Sequence, residues 1–232
     1  QGNIEGAASS YFRHDNEKVM PGYYAVKLDN GVEAELTATE RVGMHHYNYT
    51  AQGDARVLID LVNGIGNRTY EAYTVEGYRF VNGWAPRHKV FFYAKFNRPI
   101  KRLDTFCNDA PSGQDELQGR DVKAVVTFDS GVKDALVKVA ISSVSCANAK
   151  MNMETELTGW DFNAVRSTAL DKWNRVLSTI DIQCNDKQKR IFYTAMYHAF
   201  IAPNLYCDVN KDFRGIDDRI YTGNKFLNYT TF

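Results

Sequence analysis

The hydrophobic pattern of this chain changes period near residue 146, and that change does most to limit the folds open to it. Upstream, apolar residues recur at every second position. Val32, Ala34, Leu36 and Ala38 alternate with Glu33, Glu35, Thr37 and Thr39, the spacing of a strand with one covered face. Val90, Phe92, Ala94 and Phe96 alternate with Phe91, Tyr93 and Lys95, so both faces are largely apolar and a central strand covered on both sides is predicted. Further strand patterns fall at 23–28, 41–49, 55–62, 71–80, 122–128 and 135–144. They are separated by turn residues such as Asn30-Gly31, which takes positive φ readily. HDNEKVMPG, at 14–22, and residues 97–120 read as loops. Many short strands at near-regular spacing describe a large antiparallel β-sandwich.

Downstream the period becomes helical. Phe162, Val165, Ala169, Trp173, Val176 and Ile180 recur at steps of three and four, with Leu170 and Leu177 widening the stripe. Asp161 or Gly159 is the candidate N-cap, and residues 181–185 form a polar break. A second helix is predicted from Asp186 to about Ile201. Its apolar side is read as Ile191, Ala195, Ala199 and Met196, and Pro203 ends it. Residues 146–157 (CANAKMNMETEL) have helical spacing and lead into this pair. Trp173 is expected to anchor the first long helix on the sandwich, and its truncation to Ala to cost about 3–5 kcal/mol.

The chemistry that composition excludes is broad. Lys plus Arg equals Asp plus Glu at 28 each, so no long-range field favours a phosphate polymer, which argues against nucleic acid as a partner. No run reaches the roughly 20 apolar residues of a membrane span. Cys107, Cys146, Cys184 and Cys207 show no C-x-x-C spacing; they allow two disulfides in any of three pairings, or four free thiols. His45 and His46 are strand neighbours and point to opposite faces, one toward the core and one toward solvent, so they cannot share a metal. Asp208-Val209-Asn210-Lys211-Asp212 has the alternate-oxygen spacing of a calcium loop. Phe213 and Arg219 stand where such a loop needs Gly and Glu, so an Asx-rich turn is the default. Asp217-Asp218 and Glu154/Glu156 read as solvated surface. N-x-T sequons at Asn48, Asn67 and Asn228 matter only in a eukaryotic secretory pathway. No Ser/His/Asp elbow, phosphate-binding G-x-x-x-x-G-K-S/T loop or H-E-x-x-H motif occurs.

Four segments, in order, carry a family resemblance: HDNEKVMPGYYAVKLDNGVEAELTATERVGMHHY, VKVAISSVSCANAKMNMETE, WDFNAVRSTALDKWNRVLSTI and KQKRIFYTAMYHAFIAPNLYCDVNKDFRGID. Together they resemble glycoside hydrolase family 92, the calcium-dependent exo-acting α-mannosidases. The resemblance implies a mainly β fold: a large supersandwich-like β-sandwich at 1–146, a helical linker at 147–183, and at 184–232 the first helix of a truncated (α/α) barrel. It further implies an exported bacterial enzyme, periplasmic, secreted or on the cell surface. That enzyme would remove terminal α-linked mannose from glycans by calcium-dependent inversion. Its partners would be mannose-containing glycans and its own missing C-terminal helical domain. Catalytic carboxylates and calcium ligands are expected outside this chain. The opening Gln1 and the apolar end NKFLNYTTF are accordingly read as the ends of a piece of a longer protein. Five residues are expected to border the barrel and touch substrate: His198, Tyr206, Asp208, Asn228 and Tyr229. The alternatives are a non-catalytic carbohydrate-binding sandwich, with Trp84 or Tyr78 stacking on sugars, and a purely structural scaffold.

Overall fold

A computed structural model describes residues 9–50, 53–62, 64–68, 74–80, 89–118, 121–225 and 228–229. Thirteen strands come first in chain order among these: β1 (Phe12–Met20), β2 (Tyr23–Leu28), β3 (Val32–Ala38), β4 (Val42–Tyr49), β5 (Arg56–Val62), β6 (Gly64–Arg68), β7 (Thr74–Phe80), β8 (Lys89–Phe96), β9 (Arg102–Cys107), β10 (Ala110–Pro111), β11 (Glu116–Gln118), β12 (Asp121–Thr127) and β13 (Asp134–Ser142). Three helices follow, α1 (Cys146–Glu156), α2 (Phe162–Leu177) and α3 (Asp186–Phe200). The last part holds the short strands β14 (Asn204–Leu205), β15 (Asp212–Arg214), β16 (Ile220–Thr222) and β17 (Asn228–Tyr229).

The large sheet has the order β1-β2-β3-β4-β13-β8-β7-β6-β11, and the second sheet the order β10-β9-β12-β5. Every ladder within these two sheets is antiparallel. Strand periodicity splits the large sheet's side chains between two cores. Phe92, Ala94, Phe96, Ala135 and Val137 pack with Leu61, Val126 and Phe128 between the sheets. Tyr93, Ala140, Val42 and Met44 turn the other way and pack against Ala149, Met153, Leu157 and Phe162 of the helical layer. The molecule is therefore mainly β, an antiparallel sandwich with helices laid on the outer face of its larger sheet. β8 is covered on both sides, as its doubly apolar pattern predicts.

Several local expectations change. The HDNEKVMPG stretch is largely strand: β1 forms an edge whose pairing with β2 shifts register between Phe12 and Glu17. Both of its faces are exposed, so no alternation marks it in sequence, and a bulged, charged edge resists pairing with another chain. Part of the loop-rich 97–120 stretch is strand as well, β9 pairing along β12. His46 does not face solvent. Its ring lies 5.7 Å from that of Phe162 under α2, while His45 takes the opposite face and meets the Tyr47 hydroxyl at 2.8 Å. The four cysteines are free thiols.

The helices begin where their caps dictate. Ser145, Asp161 and Asn185 each accept a hydrogen bond from a first-turn amide, and Asn185 and Gln188 form a reciprocal capping box. α2 seats Phe162 and Ala169 against the sheet. Gly22, at φ +76°, lets it approach, since a Cβ there would lie 2.8 Å from that of Ala169. Trp173 is only half-buried: it stands beside Gly22 of the sandwich, where a Cβ would lie 3.4 Å from its Cδ1, and its ring meets Tyr197 of α3 with centroids 4.5 Å apart, so it touches both the sandwich and the second long helix. On α3 the packed residue is Met196, with Phe192, Tyr193 and Tyr197 half-buried. Of the side expected to be covered, Met196 is, while Ile191, Ala195 and Ala199 are exposed.

Candidate functional site

The last third of the chain is tied to the sandwich at one corner, where β13 ends and α1 begins. Asp208 is 2% exposed there. Its Oδ2 accepts from Ser142 Oγ at 2.7 Å and its Oδ1 from Asn152 Nδ2 at 2.7 Å. Asn152 is fully buried; it also donates to the Ile141 carbonyl and accepts from the Val209 amide. Burial pushes the Asp208 carboxyl above its ordinary range, against the pull of those hydrogen bonds. Beside it, Arg41 donates through Nε to the Cys207 carbonyl at 2.7 Å and through Nη1 to Glu156 at 2.5 Å. Glu156 also accepts from Thr39 Oγ1 and the Arg41 amide. It is therefore a buried anchor and not the solvated carboxylate expected from its neighbours in sequence. Composition could not reveal this, because its partners lie more than a hundred residues away.

From this corner the β15–β16 hairpin projects outward. Tyr221 stacks on Phe213, with centroids 5.8 Å apart and planes at 29°. Its hydroxyl donates to Asp217 Oδ2 at 2.6 Å, and Oδ1 of the same carboxylate accepts from the Arg219 amide. The Tyr221 hydroxyl holds Asp217 below the usual carboxylate range, and Asp217 in turn raises Tyr221. Ile216 beside them is 94% exposed. The partly exposed Tyr221 ring, the ionised Asp217 carboxylate and the exposed Arg219 guanidinium, 3.7 Å from that carboxylate, are the kinds of group with which proteins hold a polyol: a ring covers C–H bonds and charged groups take hydroxyls. A carboxylate kept ionised accepts hydrogen bonds and does not serve as a general acid.

The five residues expected at the rim separate. Tyr206 is half-buried and donates its hydroxyl to the Arg214 carbonyl at 3.0 Å, which ties it to the hairpin. Asn228 and Tyr229 join it through the backbone, since β17 pairs antiparallel with β14 in the register Leu205↔Asn228 and Asn204↔Tyr229; their side chains lie outside the described residues. His198 stands apart, exposed near the end of α3 beside Tyr197. Asp208 departs from the expectation altogether, because both its oxygens face inward to Ser142 and Asn152 and none is offered to solvent. Asp217, Tyr221 and Arg219 were not legible as a group, since short polar turns carry no periodicity. The Tyr78 side chain and Trp84 also fall outside the described residues.

The Asp208–Asp212 loop does not fit a calcium ion. Asp208 is spent on Ser142 and Asn152, and Asp212 accepts from Thr222 Oγ1 and Asn210 Nδ2. Among the described residues no group of three or more His, Cys, Asp or Glu side chains is placed to hold a metal, and no helix is long and apolar enough to cross a membrane.

Comparison with known proteins gives a consistent answer. Residues 2–142 match the glycosyl hydrolase family 92 N-terminal domain, and residues 148–232 match the glycosyl hydrolase family 92 catalytic domain. Among solved structures, the family GH92 α-mannosidase BT3965 from Bacteroides thetaiotaomicron, in complex with mannoimidazole, is 32% identical. It superposes with a TM-score of 0.88 over 96% of this chain and 31% of its own. The family GH92 inverting mannosidase BT2199 from the same organism shares the fold, with a TM-score of 0.86 at 23% identity over 94% of this chain and 31% of its own. A protein described as an uncharacterized secreted glycosidase from Arthroderma benhamiae is 26% identical over 84% of this chain and 30% of its own length. The chain thus spans about a third of the length of these relatives. With both domain matches in order along one polypeptide, the chain belongs to glycosyl hydrolase family 92.

Proposed function

We propose that the protein carrying this chain is an exo-acting α-mannosidase that removes terminal α-linked mannose from glycans with inversion at the anomeric carbon. The observation that carries this reading is the 32% identity, across 96% of the chain, to an α-mannosidase solved with mannoimidazole. Inversion needs one carboxylic acid to protonate the leaving oxygen and one carboxylate to take a proton from water on the opposite face of the sugar. None of the three carboxylates described above suits the acid role, and Asp208 and Glu156 do not suit the base role either. Asp208 is enclosed by its donors, Glu156 is paired with Arg41, and Asp217 is held ionised by Tyr221. As the likeness to the family implies, in this reading the acid, the base and the calcium ligands lie outside these 232 residues, and the ion, when bound, would supply Lewis-acid polarisation of the sugar.

This chain's share of the work is recognition. The hairpin of Tyr221, Asp217 and Arg219 forms one wall of the glycan site, with Tyr206, Asn228 and Tyr229 beside it and His198 at the end of α3. Domain limits at 146/147 and 183/184 follow from the same reading, as does export from the cell, in keeping with the secreted relative. The test is to follow hydrolysis of an aryl α-mannoside by the full-length protein using proton NMR. β-Mannose is expected first, with activity lost on chelation and restored by calcium. α-Mannose as the first product, or no mannose released, would refute the proposal.

A further inference from the structure

Arg214 lies at 13% side-chain exposure between the sandwich corner and the hairpin. On one side its Nε donates to the Ser143 carbonyl at 2.7 Å and its Nη2 to the Val144 carbonyl at 3.0 Å. On the other its Nη1 donates to the carbonyl and to Oδ1 of Asp218, at 3.2 and 2.9 Å. Asp218 sits at φ +65° immediately after Asp217. One planar guanidinium thus fixes the end of β13 to the turn that aims the exposed carboxylate. The fork geometry matters, because a lysine ammonium is a single point and cannot span carbonyls on both sides.

Asp208 is the second clamp. A buried carboxylate with neutral donors contributes little net stability, but it tolerates few arrangements of its surroundings, since any shift leaves an oxygen unpaired in a medium of low dielectric constant. Its amide also donates to the Asp212 carbonyl, and its carbonyl accepts from the Lys211 amide, which carries the constraint to the first residue of β15. Both clamps close on residues 142–152.

We infer that the β13–α1 corner is a positioning element for the glycan-facing hairpin, with Arg214 and Asp208 setting where Asp217 and Tyr221 stand relative to the sandwich. This rests on the reading of that hairpin as a wall of the glycan site. Neither residue touches sugar; each acts through the hairpin.

The test measures kcat and KM for an aryl α-mannoside, with thermal melting, in the full-length protein carrying Arg214→Lys, Asp208→Asn, Asp217→Asn or Tyr221→Phe. Arg214→Lys is expected to raise KM about tenfold while kcat changes less than about twofold, the signature of lost binding. Asp208→Asn is isosteric and removes a buried charge, so the fold is kept. It should raise KM in the same direction, because the NH2 of the amide then faces one of the two donors, Ser142 or Asn152, from which the carboxylate accepted. If Arg214→Lys does not fold, Asp208→Asn decides alone. Loss of melting temperature or of active fraction with KM unchanged would overturn the inference and leave both residues merely structural. The other two variants separate the readings. If Asp217→Asn and Tyr221→Phe leave KM unchanged, the glycan wall is refuted and the inference falls with it. If they raise KM and the clamp variants do not, positioning alone is refuted.

Discussion

Arg41 and Glu156 show how much a single buried pair controls at this junction. Their side chains are 9% and 10% exposed, and the Glu156 carboxylate serves a guanidinium, a backbone amide and a hydroxyl. Removing it strands a desolvated cation, so Glu156→Ala is expected to destabilise the chain by about 3–5 kcal/mol in urea unfolding. A loss under about 1 kcal/mol would mean that water or a new partner replaces the carboxylate. Lys138 offers a pH-dependent counterpart. It is buried beneath the α1–α2 linker, donates to the Leu157 and Thr158 carbonyls, and lies 4.2 Å from the centroid of the Trp160 ring. Burial, helped by Lys95, lowers it to about 8 from an ordinary 10.5. Between those values the unfolded chain binds the extra proton, so Lys138 contributes more to stability as pH rises through that window. The difference in unfolding free energy between the natural protein and Lys138→Met should therefore shift in favour of lysine from pH 8 to 10.5 and stay flat below pH 7. A difference independent of pH would show that the amine is not titrating there. None of these pairings is legible in the sequence. His46 with Phe162 and Arg41 with Glu156 join residues more than a hundred positions apart, and only the folded chain brings them within reach.

At the scale of elements, alternation located the central strands and helical spacing located all three helices, because both patterns record which side of an element is covered. They failed where no side, or more than one side, can be covered. β1 has two exposed faces and so no pattern. α3 has apolar residues around most of its circumference, and the period cannot say which of them meets the rest of the chain. Trp173 belongs to the same lesson. The stripe predicts its direction, while its half-burial against Tyr197 depends on where α3 lies. Trp173→Ala should therefore cost about 2 kcal/mol, less than the 3–5 typical of a fully buried tryptophan. Chemical denaturation measures this, and a loss above about 4 kcal/mol would show that the ring is a core anchor after all.

Across the whole molecule, protection should follow burial. α1 lies in the core between Tyr93, Ala140 and Phe162, whereas Met196 is the one buried residue of α3. Hydrogen exchange of the 232-residue chain should find α3 amides exchanging at least tenfold faster than those of α1. Equal protection would mean that α3 is held by contacts the structure does not contain. By itself the sequence determined the mainly β class, the turn from strands to helices near residue 146, the Asp161 cap as one of two candidates, and through its motifs the family. All of these are local or periodic, written in neighbouring residues. Only the tertiary structure decided which polar groups became anchors and which stayed open. It turned Asp208 and Glu156 inward, set Tyr221 against Asp217 on an exposed hairpin, and left Ile191 uncovered. The reason is physical: a carboxylate's role follows from its desolvation and its partners, and both depend on how distant segments pack.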